Sequence, residues 1–327
     1  MSCYKPMAAR DYGVHPNNPK KTHTIKFLGQ PYSLELVSSM KLPEGQKIIA
    51  IPCGQCIGCR LDYAKRWADR CLAESLCHDS NYFLTLTYDD EHLPAKREGS
   101  PIHSLEPREL QLFMKRLRKK FSNQTIRFFA CGEYGELNMR PHYHLILFGL
   151  KLDDLKLLRK SDLGQPYYIS ESISRLWTYG YHIIGDCTWN TCSYVARYMV
   201  KKQKGFNAKV YDELNYEPEF CRMSRRPGLG KEFYEERLDD FYNFSAVSVS
   251  TSSGSRSLRS NRYTDSIFLD CYGRDVLDEI KKNRSDVALS REIAKNLLTD
   301  TSDYITMYLD EERLSNKIKN LERSKKL

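Results

Sequence analysis

Ile126-Arg-Phe-Phe-Ala-Cys-Gly-Glu133 and Pro141-His-Tyr-His-Leu-Ile-Leu-Phe148 are two apolar and aromatic runs of strand length, joined by the seven residues from Tyr134 to Arg140. That spacing predicts a hairpin of two antiparallel strands. Side chains alternate across a strand, so His142 and His144 share one face. With the loop centred near Leu137, Glu133 falls opposite His142 on that face and completes a set of two imidazoles and one carboxylate. Glu136 competes for the third place, because a loop boundary read from sequence is uncertain by two residues. Such a set leaves positions open on a divalent ion, as a Lewis acid acting on a phosphoryl oxygen requires, and mixed nitrogen and oxygen ligands suit manganese, magnesium or zinc. A pair of ordinary core or surface histidines is the competing interpretation.

Outward from the hairpin, Tyr82-Phe-Leu-Thr-Leu-Thr-Tyr88 reads as a buried strand, followed by a loop holding Pro94, Gly99 and Pro101. Pro107 opens a helix through Phe121, with Leu110, Phe113, Leu117 and Phe121 on its buried stripe and Lys115, Arg116, Arg118, Lys119 and Lys120 in its last turns. A helical segment is expected near Leu152 to Tyr179, a short strand at Tyr181 to Gly185, and a helix from about Asn190 to Lys202. On that last helix Tyr194, Tyr198 and Lys201 follow at spacings of four and three, one above the other. Val195, Ala196, Met199 and Val200 supply a separate apolar stripe, so the tyrosines can face a site while the helix stays anchored.

The N-terminal fifty residues contain two short alternating stretches, Thr24 to Leu28 and Tyr32 to Leu36, expected as strands. Cys53, Cys56 and Cys59 then follow a C-x2-C-x2-C spacing that can place three thiolates on one metal, at the head of a helix with Arg60, Lys65, Arg66 and Arg70 on its polar faces. A structural zinc is expected there; the bacterial iron–sulfur run needs a fourth cysteine where Tyr63 stands. Cys71 on the following helix is one candidate for the fourth ligand. Residues 245–260 are half serine and read as a linker, and the last fifty residues as charged helices. The domains read as 1–80 with the cysteine cluster, 81–204 as the core, and 205–327 as a helical C-terminal extension.

The chain has 327 residues and a net charge of +9, with 41% hydrophobic and 28% charged residues, which excludes collagen-like and wholly disordered chains. The longest apolar run, Tyr143 to Leu150, is far short of the roughly 20 residues that span a bilayer, and no signal-peptide core is visible, so no membrane partner and no export are expected. The charge permits nucleic-acid binding without requiring it. Lys115 to Lys120, Lys201 to Lys204 (with Lys202) and Arg222 to Arg226 (with Arg225 and Arg226) are basic concentrations that would track a DNA backbone if they converge, with Tyr134 and Tyr143 available for base stacking.

Taken together, Cys131-Gly-Glu-Tyr-Gly-Glu136, Arg140-Pro-His-Tyr-His-Leu-Ile-Leu-Phe-Gly149 and Tyr194-Val-Ala-Arg-Tyr-Met-Val-Lys201 resemble the HUH endonucleases that initiate rolling-circle replication. Within them the chain is most similar to the initiation proteins of gokushovirus-type microviruses, to which Pro52-Cys-Gly-Gln-Cys-Ile-Gly-Cys-Arg60, Phe83-Leu-Thr-Leu-Thr-Tyr88 and Ser224-Arg-Arg-Pro-Gly-Leu-Gly230 add further likeness. The resemblance implies an α+β fold, an HUH-like antiparallel sheet with packed helices and the metal site on its middle strands. It implies that His142, His144 and Glu133 hold Mn2+ or Mg2+, that Tyr194 and Tyr198 attack DNA and exchange roles, and that Lys201 stabilises charge. In that fold Thr85 and Thr87 would lie near the metal, although threonine is also an ordinary strand former. The resemblance includes an N-terminal cysteine, making Cys3 the first candidate for the fourth zinc ligand. It also implies single-stranded or origin DNA as substrate, and the bacterial host's cytoplasm as the place of work. Since no P-loop occurs, a host helicase is expected beside a host polymerase. A relaxase or transposase of the same superfamily, or a non-catalytic zinc-containing nucleic-acid-binding protein, is the alternative.

Overall fold

The computed structural model describes residues 3–13, 24–135, 138–161, 164–201, 208–244, 246–251, 254–297 and 303–323. Packing divides the chain into two units, Met1–Tyr63 with Ala288–Leu327, and Ala64–Val287. In the first, β1 (Met7–Asp11) lies between β2 (Ile25–Pro31) and β3 (Lys47–Ile51) in an antiparallel sheet, with Ala8 and Ala9 fully buried on the central strand. Tyr32 to Leu36 does not continue as a strand. The Ser33 hydroxyl accepts from the Leu36 amide and starts helix α1 (Leu34–Ser39), because a serine oxygen satisfies one of the orphan amides of a first turn. Helix α2 (Ile57–Ser75) begins immediately after Cys56.

The second unit is built on a seven-stranded antiparallel sheet. Its elements are β4 (Asn81–Tyr88), α3 (Pro107–Lys120), β5 (Arg127–Tyr134), β6 (Pro141–Phe148), β7 (Leu155–Lys160), β8 (Pro166–Ser170), α4 (Glu171–Leu176), β9 (Gly180–Asp186), α5 (Trp189–Lys201), α6 (Lys209–Glu213) and β10 (Phe220–Met223). The strand order is β10-β5-β6-β4-β9-β8-β7, so the chain is α+β as expected. The expected helix over Leu152 to Tyr179 is instead the hairpin β7–β8 and one short helix. Gly164, at φ +75°, reverses the chain, and Pro166, which has no amide to give a helix interior, opens β8.

Alternation along the strands gives the sheet two apolar faces. On one, Leu84, Leu86, Tyr143, Leu145 and Leu147 pack with Leu110, Phe113 and Leu117 of α3 and Ile173 of α4. On the other, Phe129, Cys131, Ile146 and Phe148 pack with Ala64, Ala68 and Cys71 of α2, with Cys192, Val195 and Ala196 of α5, and with Leu229. Glu74 locks this second layer: its buried carboxylate accepts from the Arg127 guanidinium and from the Gly230 amide at 2.6 Å, with the His78 ring at 3.1 Å. Gly230 has φ +77°, and a Cβ there would lie 2.8 Å from the Tyr234 ring, so only glycine lets this turn close on α2.

After the sheet come α7 (Lys231–Glu236), α8 (Leu238–Asn243), β11 (Ala246–Thr251), β12 (Gly254–Arg259), α9 (Arg262–Tyr272) and α10 (Arg274–Leu297), with α11 (Asp303–Arg323) last. The serine-rich stretch expected as a linker is thus the hairpin β11–β12. Val247, Val249 and Leu258 point inward and Ser248 and Ser250 outward, a period of two whose polar half is serine rather than charge. They join Phe233, Phe241 and Phe268 in a separate core.

Candidate active site

The β5–β6 register pairs Glu133 with His142 and Cys131 with His144, and the β4–β6 register pairs Thr87 with His142 and Thr85 with His144. Directly paired residues share a face, so all these side chains emerge together. The Glu133 Oε1 atom lies 2.7 Å from His142 Nε2 and 3.1 Å from His144 Nε2. Glu136, the alternative ligand, lies outside the described residues.

His142 Nδ1 is 3.1 Å from the Arg140 carbonyl, which can only accept, so this nitrogen bears a proton and a neutral ring presents a bare lone pair at Nε2. His144 Nδ1 sits 2.9 Å from the Thr85 hydroxyl, which orients the ring in the same sense, the carbonyl-and-hydroxyl support usual behind metal-binding imidazoles. Burial by itself would raise the Glu133 carboxyl pKa, but hydrogen bonds from His142 and His144 and their charge outweigh it and hold it at about 2. A carboxylate only 2% exposed therefore stays ionised and needs positive company, from imidazolium or from a cation. Ligand atoms held at about 2.1 Å from one ion at right angles are about 3 Å apart, close to the separations found here. The donor set fits a divalent metal.

Helix α5 brings a phenol to this group. Cys192, Val195 and Ala196 are fully buried against the sheet, which leaves Tyr194 on the flank, 37% exposed, with its ring 5.3 Å from the His144 ring and 6.0 Å from that of Phe83. Phe83 stacks on His144 at 5.5 Å. Positions 198 and 201 follow on the same helix, although the side chains of Tyr198 and Lys201 lie outside the described residues. Lys202 lies outside them altogether.

The expected DNA contacts do not gather here. Helix α3 packs on the face of the sheet opposite the histidines, and its arginines serve the fold: Arg116 donates to the Leu176 carbonyl at 3.0 Å and Arg118 to that of Ile126 at 3.1 Å. Lys115 and Lys119 are exposed on the same helix. Arg225 and Arg226 are exposed beyond the far end of β10, because Ser224 is already level with Phe128, roughly 15–20 Å along the strand from Glu133. Tyr134 and Tyr143 cannot stack on bases. Each is one residue from a ligand and so points to the opposite face, buried in the α3 core, where the Tyr134 hydroxyl donates to the Glu217 carbonyl at 2.7 Å and that of Tyr143 to the Glu106 carbonyl at 2.9 Å.

One aromatic residue outside the expected set does face the site. Tyr181 on β9 pairs with Thr87, so Glu133, His142, Thr87 and Tyr181 form one row across four strands, and Tyr181 is 68% exposed. At about 4.8 Å per strand its Cα is about 10 Å from that of His142. Alternation along β9 would have named the face, but only the strand order makes β9 a neighbour of β4.

In the first unit, the sulfur atoms of Cys3, Cys53, Cys56 and Cys59 lie within 4.8 Å of one another. Cys71, the other candidate for the fourth ligand, is fully buried in the core between α2 and the large sheet instead.

Residues 81–203 match the family profile of the replication-associated protein ORF2. Over 331 aligned residues the chain is 34% identical to the replication-associated protein ORF2 of Spiroplasma virus 4, an alignment covering 99% of this chain and 98% of that protein. It is 37% identical to the replication-associated protein VP4 of Bdellovibrio phage phiMH2K over 61% of this chain and 62% of the relative. Against the replication-associated protein ORF4 of Chlamydia phage 1 it is 34% identical over 46% of this chain and 38% of the relative. No solved structure matches the chain. No helix among the described residues is long and apolar enough to cross a membrane. Identity of this order along nearly the whole of two chains means common descent: the chain belongs to the replication-associated proteins of the microviruses.

Proposed function

We propose that this protein initiates rolling-circle replication of a phage genome, cutting and rejoining single-stranded origin DNA by the chemistry of an HUH endonuclease. The observation that carries this reading is the convergence of Glu133, His142 and His144 on one point, with the Tyr194 ring against His144. When bound there, Mn2+ or Mg2+ supplies Lewis-acid polarisation of the scissile phosphoryl oxygen. The phenol of Tyr194 or Tyr198 loses its proton and its oxygen bonds to phosphorus. The bond from phosphorus to the 3′ oxygen breaks, that oxygen takes up a proton, and a 5′-phosphotyrosine and a free 3′ hydroxyl remain. Lys201 offsets the charge that develops. Phenolate leaves more readily than an alkoxide, since a phenol has a pKa near 10, so a later 3′ hydroxyl can reverse the link and reseal the strand. Thr85 holds the His144 ring in the tautomer that presents Nε2. On this reading the protein works in the host cytoplasm, and a host helicase and polymerase extend the new 3′ end.

The test mixes full-length protein with single-stranded oligonucleotides that together span the phage genome, in Mn2+. A protein–DNA adduct that survives denaturation and disappears with EDTA is expected; absence of an adduct on every segment would overturn the reading. Tyr181, exposed in the same row as the ligands, would stack on a base beside the scissile phosphate. Tyr181→Ala is therefore expected to weaken single-strand binding by about 1–3 kcal/mol, roughly 5- to 150-fold, in a filter-binding titration. The half-saturating Mn2+ concentration should stay unchanged; a shift there with binding intact would contradict a stacking role.

A further inference from the structure

We propose that Cys3, Cys53, Cys56 and Cys59 hold one tetrahedral zinc ion that ties the N-terminal segment to the first turn of α2. Four sulfurs from chain positions some fifty residues apart come within 4.8 Å of one another. Thiolates about 2.3 Å from a tetrahedral zinc are about 3.8 Å apart, and Cys3 Sγ and Cys56 Sγ are separated by 3.9 Å. All four cysteines are free, whereas a disulfide needs about 2.05 Å.

The backbone around them is arranged for sulfur ligands. The Cys53 amide donates to Cys3 Sγ at 3.2 Å, and the amides of Gln55 and Cys56 donate to Cys53 Sγ at 3.4 and 3.3 Å. Such amides support charge on a thiolate and fix its direction, as the outer shell of a metal site does. Hydrophobic packing does not account for the gathering. The cluster consists of buried Cys3, Cys56 and Cys59, with only Tyr4 and Cys53 packed on it. Elsewhere in this unit the buried apolar residues among those described are Ala8, Ala9 and Ile48. A unit with so small a core needs a staple, and a metal is the usual one where disulfides are absent. Zinc binding displaces the thiol protons into solvent and involves no change of oxidation state, so no further reactant is required.

The proposal is tested on full-length protein, purified under reducing conditions and analysed for metals. About one zinc per chain is expected, released by a thiol-modifying reagent and lost in Cys3→Ser and Cys56→Ser, but kept in Cys71→Ser and in His142→Ala. Retention in His142→Ala separates this site from the histidine group, so the outcome does not depend on the nuclease reading. Because a serine variant can fail to fold, wild-type protein is also grown with cobalt, and thiolate-to-cobalt charge transfer with the visible bands of a tetrahedral sulfur site is expected. A chain with neither zinc nor such a spectrum, a chain holding iron at this position, Cys3 or Cys56 found in a disulfide after reducing purification, or zinc lost in His142→Ala but kept in Cys56→Ser would each overturn the proposal.

Discussion

Replacing Tyr194 and Tyr198 together by Phe is expected to abolish the covalent protein–DNA adduct, a loss on the order of 10⁶-fold, because each substitution deletes the only atom that could bond to phosphorus. Phenylalanine keeps the ring, so the edge contact of position 194 with His144 and Phe83 survives, and single-strand binding should stay within about threefold of wild type. The single variants are more informative. If the two phenols exchange roles, Tyr194→Phe and Tyr198→Phe should each still form an adduct, while neither should pass a bound strand to a second 3′ hydroxyl. Adduct gels report the first step, and joining of a labelled acceptor oligonucleotide reports the second. A single variant that forms no adduct at all would overturn the exchange, leaving one dedicated nucleophile.

The parts of this site that were legible in the sequence obey short-range periodic rules. His142 and His144 share a face because a strand has a period of two, and Glu133 opposes His142 because a hairpin fixes its own register across a short loop. The buried stripe of α5 follows in the same way from Cys192, Val195 and Ala196. The alternation that named the ligands also excluded Tyr134 and Tyr143 from the site, which their attractive chemistry had obscured. What could not be read depends on order in space. Nothing local says that β9 lies beside β4, and without that neighbour Tyr181 is one exposed tyrosine among many. The basic runs mislead for a related reason: arginines near Leu176 and Ile126 are consumed by carbonyls that sequence cannot place beside them. The β11–β12 hairpin was hidden by composition, since serine on its solvent face imitates a linker while Val247, Val249 and Leu258 supply the period. Cys3 is the clearest case: fifty residues from the other three cysteines, it had only a family likeness to recommend it.

His144→Ala is expected to lower Mn2+-dependent cleavage by at least about 10³-fold and to weaken the fold as well, and the second effect follows from where the charge sits. Glu133 and His144 are almost wholly buried, and the carboxylate accepts from both imidazoles through one oxygen. Removing one ring subtracts a metal ligand and leaves a buried anion with half its support, a change that costs about 3–5 kcal/mol in comparable buried pairs. Glu133→Gln removes the ligand and the charge together, so it should lose cleavage to the same degree while costing less stability than His144→Ala. The pH dependence separates the two effects. The Glu133 carboxyl is depressed to about 2 in the folded chain against about 4.3 for an ordinary glutamate, so its stabilisation is complete above about pH 4.3 and is lost as the pH falls toward 2. Without His144 that depression shrinks, and the acid-unfolding midpoint followed by circular dichroism should move to higher pH than in wild type. In Glu133→Gln the carboxyl is gone, and its contribution to the transition should vanish with it. A His144→Ala protein with wild-type cleavage at low Mn2+ and an unmoved acid midpoint would mean that Glu133 answers to some other partner, and the convergence of these three side chains would then be packing rather than a metal site.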